Sequence, residues 1–204
     1  MTREKRTAIG VSIALAVCVV YRLLPLAWPE DGALRYGRMC VEEVLLLGVP
    51  AVMLRPWRSS RIKAEKRWWV YGSFLLAALA LHPAMRWISE IWAGLFPSPS
   101  AVYPVPVNAL EGLLMVCALV LVPAVCEEAF FRGAMYCGLV KRLGFGGTFW
   151  LVSAVFALIH FQPGRLPFHL AAGLMLTLAM RRTGRIGLPV AMHAVINGMG
   201  LMNL

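Results

Sequence analysis

Apolar residues run along this chain in blocks too continuous for the faces of soluble helices, and polar residues collect between the blocks. Arg3, Lys5 and Arg6 precede a mostly apolar stretch that ends near Trp28. Its length, about 20 residues, suits a bilayer crossing. No small-x-small site closes it, so it reads as a retained first span rather than a cleaved signal peptide. A shorter block covers 41–54, and a basic loop follows with Arg55, Arg58, Arg61, Lys63, Lys66 and Arg67. Trp68-Trp69 opens the third block as an interfacial anchor, and His82-Pro83 is expected to kink or end it. A Pro- and Ser-rich loop spans 97–106. The fourth block runs from Asn108 through Val125 into Cys126-Glu127-Glu128, and an amphipathic piece, 133–140, leads to Lys141-Arg142. Further blocks cover 146–161, 167–180 and 187–203. No internal repeat is evident. The pattern predicts an all-α, polytopic membrane helix bundle of about seven transmembrane spans (six to eight). It forms one domain, 1–204, with its motif-bearing core over 108–204.

Composition sharpens this picture. Of the residues, 60% are hydrophobic and 15% charged, against about 45–50% and about 25% in a soluble domain. The net charge of +10 would suit nucleic acid if it were spread over solvated faces. Instead the cations cluster between apolar blocks: at the N-terminus, over 55–67, at Lys141-Arg142, and at Arg181, Arg182 and Arg185. That distribution excludes nucleic acid as a partner. By the positive-inside rule it predicts a cytoplasmic N-terminus in a multi-pass protein of the plasma or inner membrane. The five cysteines have no zinc spacing and read as reduced thiols.

Ionisable groups within hydrocarbon are costly and therefore mark function by default. Three sets stand inside apolar blocks. In Glu127-Glu128-Ala129-Phe130-Phe131-Arg132, Glu128 and Arg132 share a helix face, while Glu127 is turned about 100° away. Phe156 and His160 are four apart, as are His193 and Asn197. Counted from the basic loops, Glu127 and His160 lie about 21 Å deep, and His193 and Asn197 about 12 and 18 Å. All can meet near the middle of the bilayer. Other polar residues are set aside. Glu42-Glu43 and Glu111 sit where helix N-termini welcome negative charge. His82 lies near a block end, Arg22 snorkels, and His169 is at most a supporting residue.

A desolvated glutamate suits a general base. It could take a proton from water held against a histidine, and the hydroxide would attack a carbonyl. His193 and Asn197 would donate to the oxyanion, while Arg132 keeps Glu128 ionised. No serine or cysteine has a spacing that demands a covalent intermediate. No cofactor is expected; the variant is zinc held by Glu127, His160 and His193, although no HExxH is present.

These residues resemble the CAAX prenyl protease and bacteriocin-processing family (CPBP or Abi), which are glutamic-type intramembrane proteases. The motifs EExxxR, FxxxH and HxxxN stand in order as Glu127-Glu128 with Arg132, Phe156 with His160, and His193 with Asn197. Arg182-Thr183-Gly184 adds to the likeness. The resemblance implies a cavity open to the cytoplasmic side and membrane. In it Glu127 activates water beside His160, Glu128 and Arg132 support it, and His193 and Asn197 stabilise the oxyanion. The expected substrate is a membrane-anchored protein or peptide in the lipid bilayer, as for bacterial sorting proteases of C-terminally anchored proteins, and not a prenylated tail. Two other functions fit intramembrane charges: a proton- or ion-coupled transporter, and a non-catalytic immunity or scaffold protein.

Overall fold

A computed structural model describes residues 3–24, 31–54, 67–96 and 103–202. The end of the first apolar block at Trp28, the basic loop over 55–66 and the Pro/Ser loop over 97–102 lie outside the described residues. Within them the fold is all-helical, with six helices and no strand. α1 is Arg3–Leu23, α2 covers 32–54 and α3 is Trp68–Ala93. α4 is Ala109–Leu158, α5 is Leu166–Thr183 after a short 3-10 turn at Pro163–Arg165, and α6 is Gly187–Leu201. α1, α3 and α4 are each long and apolar enough to cross a membrane, and α6 is a shorter apolar helix.

α4 departs from the sequence expectation. The block from Asn108, the amphipathic piece at 133–140 and the block from 146 are not three elements. They are one helical stretch with a single non-helical residue, Gly144, at φ 66° and ψ −179°. That positive φ is open to glycine and strained for other residues. It folds α4 back on itself. In a straight helix Glu127 and His160 would lie about 50 Å apart; their side chains instead approach to 3.8 Å. Gly144 therefore divides α4 into a first arm, 109–143, and a returning arm, 145–158. At the other predicted break, α3 continues through Pro83 to Ala93. Proline removes one backbone donor, and here the exposed Pro83 does not stop the helix.

Two wide, π-type turns, Val44–Gly48 in α2 and Cys117–Leu121 in α4, stand just ahead of Pro50 and Pro123. A proline in mid-helix cannot donate to the carbonyl four residues back and crowds it, and a widened turn is one relief. A third wide turn, Ala129–Tyr136, follows Glu128 directly.

Packing divides the helices into two groups. α1 and α2 pack on each other and on α4. α3, α5 and α6 pack together, and α5 and α6 pack on α4. α4 is thus the shared wall of a cleft. At the end where α1 begins, the cleft is shut by close contact: a Cβ on Gly138 would lie 2.6 Å from Thr7, and one on Gly10 would lie 2.4 Å from Leu54. At the other end α1 stops at Leu23, level with Glu42 and Glu43, because Tyr21 bonds Glu42 and Arg22 reaches Glu43. α2 and α4 continue past that level, and the cleft widens.

Candidate active site

The wide end of the cleft is a cavity of about 920 Å³. Glu127, Phe156, His160, His193 and Asn197 all line it. α4 supplies the first through its first arm and Phe156 through its returning arm; His160 sits just past the end of that arm. α6 carries His193 and Asn197 one turn apart. The three sets picked out by depth along the sequence therefore converge on one hollow.

Glu127 is 5% exposed. Its Oε2 stands 3.8 Å from His160 Nε2 and has no hydrogen-bond partner among the described residues. His160 Nδ1 lies 2.7 Å from the Phe156 carbonyl. A carbonyl only accepts, so Nδ1 carries the proton and the lone pair of neutral Nε2 points toward Glu127. The gap exceeds a hydrogen bond, and a water beside both atoms could donate one proton to each. The His160 ring stacks on His169 at 3.9 Å between centroids, and His169 in turn contacts Gln162 at 3.4 Å. Phe161, next in sequence, has φ 51°, a left-handed conformation strained for a phenylalanine. That turn ends the helix and leaves His160 at the cavity wall. The strained position coincides with the site, where such strain tends to gather.

Glu128 and Arg132 lie behind the cavity, both fully buried. Arg132 donates to Glu128 Oε1 at 2.6 Å and to the Gly173 carbonyl at 3.0 Å. Its guanidinium lies 4.6 Å from the centre of the Phe156 ring, which also packs edge-to-face against Phe131. Glu128 Oε1 also accepts from His193 Nδ1 at 2.9 Å. The pair expected to support Glu127 is thus engaged with His193 instead. The i,i+4 spacing foretold the Glu128–Arg132 contact but could not show that the same oxygen reaches α6. With Nδ1–H spent on Glu128, a neutral His193 presents a bare Nε2 to the cavity. It donates there only as the imidazolium, whose charge Glu128 is placed to balance.

For a metal, the candidate trio was Glu127, His160 and His193. Among the described residues no three His, Cys, Asp or Glu side chains are grouped to hold one.

Five of the residues set aside in the sequence belong to the cavity. Arg22, Glu42, Glu43, His82 and His169 line it. Arg22 reaches Glu43 Oε2 at 3.4 Å, and Arg38 and Tyr21 both bond Glu42. Glu43 is not at the start of its helix, since α2 begins at Gly32. Its Oε1 is buried with no hydrogen-bond partner among the described residues. Arg22 and Glu43 are close enough to Glu127 for the charges to interact. One signal was present: Tyr21-Arg22 and Glu42-Glu43 stand at matching ends of two apolar blocks that must pair antiparallel.

The mouth belongs to one end of the bundle. It is lined by Leu24 of the α1 exit, Arg35 and Arg38 of α2, Arg86, Glu90 and Ala93 of α3, Tyr103, and the turn Gln162, Gly164 and Arg165. Trp92 ties α3 to that turn by donating to the Pro163 carbonyl at 2.9 Å. This is the end away from Arg6, Lys141, Arg181 and Arg182. A cytoplasmic opening, expected from the family resemblance, would put the mouth beside those basic clusters. The α1–α2 hairpin is closed onto α4 there, so the opening is at the opposite end.

No curated protein and no solved structure matches the chain. Residues 109–199, which hold all three motifs, match the family model described as type II CAAX prenyl endopeptidase Rce1-like.

Proposed function

We propose that the protein is an intramembrane endopeptidase that hydrolyses a peptide bond of a membrane-anchored protein or peptide. One observation carries this: Glu127 and His160 face each other across 3.8 Å at the wall of a cavity between long apolar helices. In this reading, water sits against Glu127 and the His160 Nε2 lone pair. Glu127 takes a proton as the water oxygen attacks the scissile carbonyl. His193, as imidazolium braced by Glu128, and the Asn197 amide donate to the developing oxyanion. Such donors typically lower a barrier by about 3–4 kcal/mol. Glu127 then returns the proton to the leaving amine, so protons balance with no covalent intermediate. Arg132 keeps Glu128 ionised and acts on the reaction through His193. The reading routes no step through a metal.

The substrate is read as a protein held in the bilayer by an anchoring segment, in the manner of a bacterial processing or sorting protease. The cleft between the two helix groups suits an extended segment. The test is a comparison of membrane proteomes between cells with the wild-type chain and cells with Glu127→Gln at equal expression. Accumulation of an uncleaved precursor in the variant is the expected result. Identical proteomes would remove the protease reading. Solute or proton flux in proteoliposomes that Glu127→Gln abolishes would replace it with transport.

A further inference from the structure

The sidedness of the cavity bears on what it can cleave. Two features together point to it. The first is charge: Arg6, the loop with Arg55, Arg58, Arg61, Lys63, Lys66 and Arg67, the Lys141-Arg142 pair, and Arg181, Arg182 and Arg185 all stand between apolar blocks on one side of the predicted topology. Such clusters remain in the cytoplasm. The second is packing. α1 begins at the cytoplasmic end, where Thr7 and Gly10 close the hairpin against Gly138 and Leu54. The cavity opens where α1 and α3 finish and α2 begins, among Leu24, Arg35, Arg86, Glu90 and Arg165. Three of the cations at this mouth have a carboxylate partner: Arg38 with Glu42, Arg86 with Glu90 at 2.9 Å, and Arg22 with Glu43. The rule counts Lys and Arg rather than net charge, and the mouth end holds Arg22, Arg35, Arg38, Arg86 and Arg165, fewer than the clusters at the opposite end.

We infer that the cavity opens on the extracytoplasmic side of the membrane. The substrates are then anchored proteins whose scissile bond lies on that side of their membrane segment. This rests on the protease reading above and narrows it. It excludes tails modified and displayed on the cytoplasmic surface. The cleft between the α1–α2 hairpin and the α3–α5–α6 group admits the anchor from the bilayer, while Glu127 and His160 stand within reach of the outer mouth.

Glu90 and Lys141 are exposed and lie at opposite ends, and neither touches Glu127 or His160. In intact spheroplasts, a membrane-impermeant maleimide is expected to label Glu90→Cys fully, over the wild-type chain as background. Lys141→Cys should react only after permeabilisation. A second measurement needs no cysteine variant: alkaline phosphatase fused after α6 should be active and a green fluorescent protein fusion dark. The reverse pattern in either assay overturns the inference. The fragment released in wild-type but not Glu127→Gln cells is then expected in the extracytoplasmic fraction. If cleavage needs Glu127 but the labelling is reversed, the sidedness falls and the protease reading stands. If the labelling holds and Glu127→Gln changes no protein, the protease reading falls instead.

Discussion

The α1–α2 hairpin and the α4–α6 region place charge in the same cavity by different means. In α4–α6 the charges behind the cavity have defined, short partners: Arg132 with Glu128 at 2.6 Å, and His193 with the same oxygen at 2.9 Å. In the hairpin the contact is looser, Arg22 to Glu43 at 3.4 Å, and Arg22 keeps 31% of its side chain exposed. A buried pair with short bonds is costly to break, because the remaining partner is stranded in a low-dielectric interior. A half-solvated pair loses little. The rigid set can hold atoms for chemistry, while the looser set can shape the entrance and adjust as substrate enters.

The sharpest way to break this comparison is at Glu127. Glu127→Gln keeps size and hydrogen bonding but removes the base. General-base catalysis is worth about 10²–10⁴-fold, and cleavage of a precursor in membranes should fall within that range, with insertion unchanged. Retained cleavage would show that the 3.8 Å pairing with His160 is structural.

Next is Arg132→Met. It leaves Glu128 ionised beside His193 alone, at full burial. The expected loss of stability is about 3–5 kcal/mol, read as thermal unfolding in detergent. Glu128→Gln combined with Arg132→Met should recover much of it, since no charge is then stranded. Failure of that rescue would mean that the Phe156 and Gly173 contacts of Arg132, not its charge, hold the site. Asn197→Ala tests the oxyanion side. It should lower kcat by about 10²-fold with little change in KM, as removal of a donor used in the transition state does. An equal rise in KM would move Asn197 to ground-state binding.

These contrasts also mark what could be read from sequence. The motif spacing gave Glu128–Arg132, because i,i+4 is a local geometry that a helix imposes wherever it sits. Depth counting brought Glu127, His160, His193 and Asn197 to one level, because rise per residue is fixed. The partner of His193 was hidden, since it depends on how α6 rotates against α4. Glu43 was misjudged for a related reason. Its helix was taken to begin near residue 41, but α2 begins at Gly32, which moves Glu43 from a helix start into the cavity wall. The fold at Gly144 shows the converse. The pattern foresaw a reversal near Lys141-Arg142, yet a single glycine at φ 66° accomplishes it where a loop was expected.

The smallest effect lies in the hairpin, and it decides whether that half belongs to the chemistry. Glu127 and Glu43 are two carboxylates near one cation, Arg22. If Arg22 offsets their combined charge, Arg22→Met should reduce cleavage roughly tenfold, about 1.4 kcal/mol. Glu43→Gln alone should change it by less than about threefold. The double variant is the informative one. With Glu43 neutral, Glu127 loses a negative neighbour, and part of the loss from Arg22→Met should be regained. A coupling of about 1 kcal/mol is the scale expected for residues in one charge network. Strict additivity would separate the hairpin from catalysis and leave Arg22 and Glu43 as a pair that only shapes the mouth.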